Sequence, residues 1–362
     1  RRRQPVSFCA MDSASAAMKA QGAVLRGLMR LGPAAQLRIA GGKPTVRDGQ
    51  TLDPGIQLLL KLMAMAPQPE MERLSPVQAR AGVTETRSLI AAPQLPMASV
   101  TETTVAGAEG ALPARLYVPE ECKDSISPLL VFFHGGGFVI CDLETHDAPC
   151  RMIAQHSGCR VLSVDYRLAP EHKYPAAADD ALAAFRDVVA RADEFGADPL
   201  RIAVGGDSAG GQLATVTAQQ ALADGGPAPA FQLLIYPVCD FAEKYPSYHL
   251  FSDGFFLTEA QMDWFGQHYL SADDDLNDPK ASPLKAGLLA GLAPAHIVTA
   301  GFDPLRDEGE AYAAKLKADG VEVTLRRHSS LIHGFLNFSV VNRTSHDAVC
   351  EMAGVLRAAL AA

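Results

Sequence analysis

From residue 100 onward, short apolar runs alternate with helix-patterned stretches, and this rhythm constrains the fold of the 362-residue chain more than any other feature. The runs are rich in β-branched and aromatic residues and fall at 114–118, 129–133, 160–164, 201–205, 232–236, 296–301 and 321–326. Helical patterns separate most of them, at about 147–156, 177–195, 209–224, 306–319 and 345–361. A strand that is apolar throughout must be covered on both faces. The alternation therefore predicts an α/β fold in which helices flank a mostly parallel sheet.

The interval 240–285 breaks the rhythm: it carries no clear strand, yet nine of the chain's 24 aromatic residues fall within 241–269. Such an insertion suits a lid over an apolar pocket, and it equally suits a small core of its own. Ahead of the main domain, residues 14–31 read as an amphipathic helix. It is expected to pack on the main body or on a second subunit, although Lys19, Arg26 and Arg30 leave contact with a membrane surface open. Gly41 and Gly42 end that unit. Asp53-Pro54 and Ser75-Pro76 each read as a helix start, an N-cap residue followed by proline in the first turn.

Composition narrows the function. The net charge is −9, apolar content 48% and charged content 20%, values ordinary for a soluble globular protein. No Lys/Arg cluster interleaved with aromatics points to nucleic acid. The seven cysteines form no C-x-x-C pair and are odd in number, so reduced thiols are the simpler reading. Cys141, Cys150 and Cys159 lie nine apart, but no cluster has zinc-ligand spacing, so neither a metal nor an organic cofactor is expected. The leading Arg1-Arg2-Arg3 is not followed by the apolar stretch a signal peptide needs, and Met11 is a candidate start. No segment has the roughly 18 apolar residues of a membrane span, so a cytoplasmic location without stable membrane insertion is expected.

Gly206-Asp207-Ser208-Ala209-Gly210 lies between an apolar strand and a helix. That is the strand–turn–helix context of a nucleophile elbow, with Ser208 as the nucleophile. Gly206 and Gly210 leave room for the sharp turn, and the helix start favours developing negative charge. His134-Gly135-Gly136-Gly137 follows the strand at 129–133, where bare amides can form an oxyanion hole, with the Ala209 amide as a further donor. His134 reads as a loop organiser. Asp303, at the end of the strand 296–301, is the expected acid. Asp307 and Glu308 have a sufficient explanation as helix-start charges. His333, on the loop after the last strand, completes the order Ser–Asp–His as the general base, and the other histidines read as surface or structural residues.

Together these motifs resemble the hormone-sensitive-lipase family of esterases, in particular its bacterial Gly-Asp-Ser-Ala-Gly members. Asp165-Tyr166-Arg167-Leu168-Ala169-Pro170-Glu171, Asp303-Pro304-Leu305-Arg306-Asp307-Glu308-Gly309 and His333-Gly334-Phe335 match in order, from about residue 112 to the C-terminus. The resemblance implies an α/β-hydrolase fold with an eight-stranded sheet and a helical cap. The cap would be built from helices in 46–100 and the insertion at 240–285, on a catalytic domain spanning 101–362. It further implies a carboxylic-ester hydrolase; the apolar composition of the insertion leads us to expect small esters with short- to medium-chain, uncharged acyl groups as substrates. Gly136, Gly137 and Ala209 would donate to the oxyanion, and Asp207 would support the elbow. Family members are often dimers, which makes a homodimer an expectation to test. Residues 1–45 exceed the usual cap. A peptidase or amidase with the same triad is the nearest alternative. A ligand-binding protein on a dead hydrolase scaffold is the other, and it should lack the nucleophile or the base.

Overall fold

A computed structural model of the protein describes residues 21–65, 69–90 and 94–361. Helix α1 (21–29) is the described part of the amphipathic stretch, whose residues 14–20 lie outside the described ones. Helix α2 (Pro33–Ala40) and a small hairpin, β1 (Val46–Arg47) and β2 (Gln50–Thr51), lead to helices α3 (Pro54–Met65) and α4 (Pro76–Ile90). The main body comprises β3 (Ser99–Gly107), β4 (Gly110–Val118), β5 (Ser127–Phe133), α5 (Asp147–Ser157), β6 (Arg160–Val164), α6 (Ala176–Ala190), β7 (Ala197–Asp207), α7 (Ala209–Ala223) and β8 (Gln232–Ile235). It continues through α8 (Pro246–Leu250), α9 (Glu259–Tyr269), β9 (Ala295–Phe302), α10 (Arg306–Ala318), β10 (Val323–Ile332) and α11 (Arg343–Ala359).

Eight strands form one sheet in the order β10-β9-β8-β7-β5-β6-β4-β3. The strands from β10 to β6 run parallel, and the β6–β4 and β4–β3 pairings are antiparallel. All seven apolar runs are strands of this sheet. The eighth strand, β3, has no apolar run to betray it: it lies at the edge with mostly exposed or half-buried side chains, and only Val105 is fully buried. An edge strand solvated on one side needs no continuous apolar stretch.

Strand periodicity explains the two cores. Leu129, Val131 and Phe133 of β5 join the apolar layer formed with α6 and α7. Their neighbours Leu130 and Phe132 face the opposite layer, which holds residues of α3, α5 and α11. Met29 of α1 is buried in this second layer, with Leu25 and Leu28 packed against it. The first described helix therefore packs on the main body. Gln36 of α2 donates to the Met29 carbonyl at 2.8 Å, joining the two short helices.

Asp53 acts as the anticipated cap, accepting from the Ile56 amide at 2.9 Å. Its carboxylate also accepts from Asn342 Nδ2 (2.8 Å) and Thr344 Oγ1 (2.7 Å), fastening α3 to the start of α11. Among the described residues, Cys122, Cys141, Cys150, Cys159, Cys239 and Cys350 are free thiols. No described helix is long and apolar enough to cross a membrane.

Two histidines are held neutral by the fold. Burial pushes the His134 and His296 imidazoles down to about 4, aided at His134 by the neighbouring His146. The unfolded chain binds protons at the ordinary histidine value near 6.5, so between about pH 6.5 and 4 it takes up protons that the folded chain refuses. Stability should therefore fall as pH drops through this window. The thermal midpoint is expected to decline between pH 7 and 5, and His296→Gln should flatten that decline. An unchanged slope in the variant would refute the assignment.

Candidate active site

The strands that carry the anticipated site residues all end on one side of the sheet. Phe133 pairs with Gly206 and Asp207 with Ile235, so the β5 loop and the turn after β7 emerge side by side. Phe302 pairs with Ile332, which makes Asp303 and His333 the next residues on adjacent strands.

That last pairing depends on an irregularity. Between His328↔Ala300 and Ile332↔Phe302, four steps along β10 match only two along β9. A regular ladder would put Leu331 beside Asp303. The bulge is accommodated because Gly301 has no side chain, and a Cβ there would collide with the Ser329 carbonyl. Residues ahead of α3 occupy the groups the bulge frees: the Asp53 amide donates to the Ser330 carbonyl at 2.9 Å, and Gln50 Nε2 to the Gly301 carbonyl at 3.2 Å.

Ser208 stands between β7 and α7 with φ 56° and ψ −119°, a region that non-glycine residues rarely occupy. Its amide donates to the Ile235 carbonyl at 2.9 Å. The flanking glycines are a steric necessity, since a side chain on Gly210 would overlap the Phe133 carbonyl and one on Gly206 would overlap Gly210. Ser208 Oγ lies 3.0 Å from His333 Nε2, and His333 Nδ1 lies 2.8 Å from Asp303 Oδ2. The other Asp303 oxygen accepts from the Leu305 amide at 2.8 Å. An ionised carboxylate can only accept, so the imidazole proton sits on Nδ1 and the Nε2 lone pair faces the serine. All three side chains are buried, Asp303 completely.

Gly136 (φ 114°) and Gly137 (φ 59°) line the same cavity as Ser208, and Ala209 opens α7. Among the described residues none of their amides has a protein acceptor. Asp207 ties this loop to the elbow, accepting from the Gly135 amide at 2.8 Å and the Tyr236 hydroxyl at 3.3 Å, with His146 Nε2 at 3.1 Å. Burial works against its charge, yet His146 and the Gly135 amide hold its carboxyl below the ordinary range. His134 is fully buried, with its ring stacked on Tyr166 at 4.4 Å and its carbonyl accepting from the Tyr166 hydroxyl at 2.7 Å. These contacts are those of a loop organiser.

Three participants escaped the sequence reading. His146, read from sequence as a surface or structural histidine, is a buried structural one whose partner, Asp207, the sequence did not reveal. Tyr236 packs its ring 4.6 Å from that of His333. Glu308 is more than a helix-start charge: it is buried and accepts from the Cys239 amide at 2.7 Å, and burial pushes its carboxyl well above the ordinary range. Asp307 instead accepts from the Ser247 amide at 2.9 Å, holding α8. Neither is the partner of His333, as expected.

A cavity of about 1520 Å³ opens above Ser208, walled by α3, α4, α8 and α9 together with the oxyanion loop. The aromatics of 241–269 divide between the cavity wall and the cores of the main body, and do not form a separate core of the insertion. Phe241, Tyr248, Phe256 and Phe265 line the cavity, whereas Phe251 and Tyr269 are buried against Phe302 and Phe138. The cap also touches the loops below: a side chain on Gly137 would overlap the Phe265 ring, and one on Gly334 would meet Phe256 at 2.8 Å. Gly137→Ala is thus expected to displace an amide facing the cavity. Ester turnover should drop about 10²- to 10³-fold, as for loss of one oxyanion donor. Turnover within threefold of the parent would count against any role for that amide.

Comparison with known proteins agrees with this geometry. Residues 130–337 match the model of a family described as having the alpha/beta hydrolase fold. The chain is 45% identical over 334 residues to the carboxylic ester hydrolase LipN of Mycobacterium tuberculosis, covering 89% of this chain and 87% of that protein. It is 36% identical over 290 residues to an ethyl acetate hydrolase of Pseudomonas putida, covering 79% and 91% respectively. Among solved structures, an ester hydrolase from the metagenome of Lake Arreo, complexed with a bipyridine phosphonate derivative, superposes with a TM-score of 0.84 at 42% identity, covering 86% of this chain and all of that one. With this fold, and with relatives so similar over most of its length, the chain belongs to the alpha/beta hydrolase fold family and is a carboxylic-ester hydrolase of the carboxylesterase and lipase type.

Proposed function

We propose that Ser208, His333 and Asp303 carry the ester hydrolysis as nucleophile, general base and orienting acid. The unbroken run of contacts from Ser208 Oγ through His333 to Asp303, at 3.0 and 2.8 Å, is the observation on which this reading rests. His333 Nε2 takes the serine proton as Oγ attacks the ester carbonyl carbon. The carbonyl oxygen becomes an oxyanion held by the amides of Gly136, Gly137 and Ala209. The intermediate collapses, His333 returns the proton to the departing alkoxide, and the alcohol leaves an acyl-serine behind. Water then attacks the acyl carbon, giving its proton to His333. Collapse of the second tetrahedral intermediate releases the carboxylic acid and restores the serine hydroxyl. The strained Ser208 backbone stands at the first turn of α7, where the helix end favours the developing charge.

The Gly-Asp-Ser-Ala-Gly elbow, the His-Gly-Gly-Gly loop and the Asp303 and His333 segments support placing the chain with the hormone-sensitive-lipase-like esterases. We read residues 46–100 and about 240–285 as the cap over a catalytic domain spanning 101–362. The substrate is a small ester with a short- to medium-chain, uncharged acyl group. The cavity wall carries Leu60, Met63, Phe241, Phe256 and Phe265 against few cations, a surface suited to apolar acyl chains.

Ser208→Ala and His333→Ala should each lower p-nitrophenyl ester turnover at least about 10³-fold with the fold intact. Near-normal turnover by either purified variant would defeat the assignment. Across an acyl series from acetate to palmitate, kcat/KM should peak among the short to medium chains. A preference for charged acids would contradict the reading of the cavity.

A further inference from the structure

Away from the reacting groups, His156 of α5 and His346 and Cys350 of α11 converge where these two helices pack together. One ligand atom from each lies within 4.8 Å of the others. His346 and Cys350 are one helical turn apart, so both project from one face of α11. Cys350 Sγ and His346 Nδ1 are 3.6 Å apart, and the rings of His156 and His346 meet edge-on at 79° with centroids 6.0 Å apart. A tetrahedral zinc ion with Zn–S of about 2.3 Å and Zn–N of about 2.0 Å separates its sulfur and nitrogen ligands by about 3.5 Å, a spacing this pair already has.

We infer that His156, His346 and Cys350 form a binding site for a thiophilic divalent cation, zinc above all, that links α5 to α11. Two imidazoles and a thiolate are the donor set of Zn²⁺, Co²⁺ and Cu²⁺, not of Mg²⁺ or Ca²⁺. On binding, the Cys350 thiol releases its proton to solvent and coordinates as thiolate, while each imidazole contributes a neutral nitrogen. His156 and Cys350 are half-buried and His346 is exposed, so the cation can enter from solvent and a water molecule can complete the tetrahedron. A simple helix-packing contact explains less. A thiol–imidazole hydrogen bond accounts for His346 and Cys350, but His156 has no hydrogen-bond partner of its own among the described residues.

The location gives the link a consequence. Helix α5 begins at the N-cap residue His146, which touches Asp207 beside the oxyanion loop. Helix α11 follows the short helical turn Phe335–Phe338 that continues from His333. A cation joining α5 to α11 therefore ties together the segments that carry the two halves of the site, and its chief effect is on stability. The cluster escapes sequence inspection because only His346 and Cys350 are near one another along the chain.

Tag-free, chelator-treated full-length protein titrated with Co²⁺ should bind one equivalent. Intense visible bands of tetrahedral cobalt should appear, with a near-ultraviolet thiolate-to-cobalt charge-transfer band that Zn²⁺ displaces. Cys350→Ser should abolish the charge-transfer band and His156→Ala should weaken binding at least tenfold, whereas Cys141→Ser should keep both signals. Zn²⁺ should raise the thermal midpoint of the parent but not of Cys350→Ser, whose circular dichroism and metal-free ester turnover should match the parent. A band that survives Cys350→Ser, or only the weak spectrum of octahedral cobalt, would overturn the site.

Discussion

The parallel pairing of β9 with β10 decides whether Asp303 and His333 can meet beside Ser208. Asp303 and His333 are neighbours only because two extra residues of β10 are looped out just before the strand ends. Register in a parallel pair is set by backbone hydrogen bonds and side-chain packing, and a shift of two preserves which face each side chain occupies. The apolar pattern of β10 would therefore tolerate Leu331 in the place of His333. What excludes that alternative is a set of local supports: a residue without a side chain at Gly301, and the Asp53 amide and Gln50 side chain that occupy carbonyls at the bulge. Through these contacts the segment ahead of α3, remote in sequence from the reaction, holds its geometry.

The elbow is held by the opposite strategy, extreme proximity. Gly206, Gly210 and the end of β5 lie so close that any side chain there would overlap backbone, which lets the strained Ser208 be enforced by its surroundings. Asp207 uses the same closeness. Its carboxylate accepts from the Gly135 amide, which fastens the turn bearing Ser208 to the loop bearing Gly136 and Gly137. The cost of burying that charge is offset by several partners acting together: His146, the Gly135 amide and the Tyr236 hydroxyl. Tyr236 serves twice, because its ring also packs against His333.

The cap adds a third layer of constraint. Phe265 abuts Gly137 and Phe256 abuts Gly334, so cap aromatics rest on the Gly135–Gly137 loop and on the loop that carries His333. The buried Glu308, accepting from the Cys239 amide, holds the point where the chain leaves the sheet to build α8 and α9. Cap and catalytic floor share their fastenings.

Sequence alone determined what is local. The central parallel strands β5 to β9 announced themselves because burial on both faces demands apolar runs, whereas edge strand β10 showed only alternating β-branched and polar residues. The elbow did so because its turn requires glycine at fixed offsets, and the candidate acid and base because strand ends carry them in a recognisable order. Edge strand β3 escaped because one-sided solvation erases that signature. His146, Tyr236 and the buried state of Glu308 escaped because their partners lie far away along the chain. The β10 bulge, the joining of Asp207 to the oxyanion loop, the seating of cap aromatics on Gly137 and Gly334, and the meeting of His156 with His346 and Cys350 were decided only by tertiary structure. Each depends on distances between segments that no spacing within a single segment encodes.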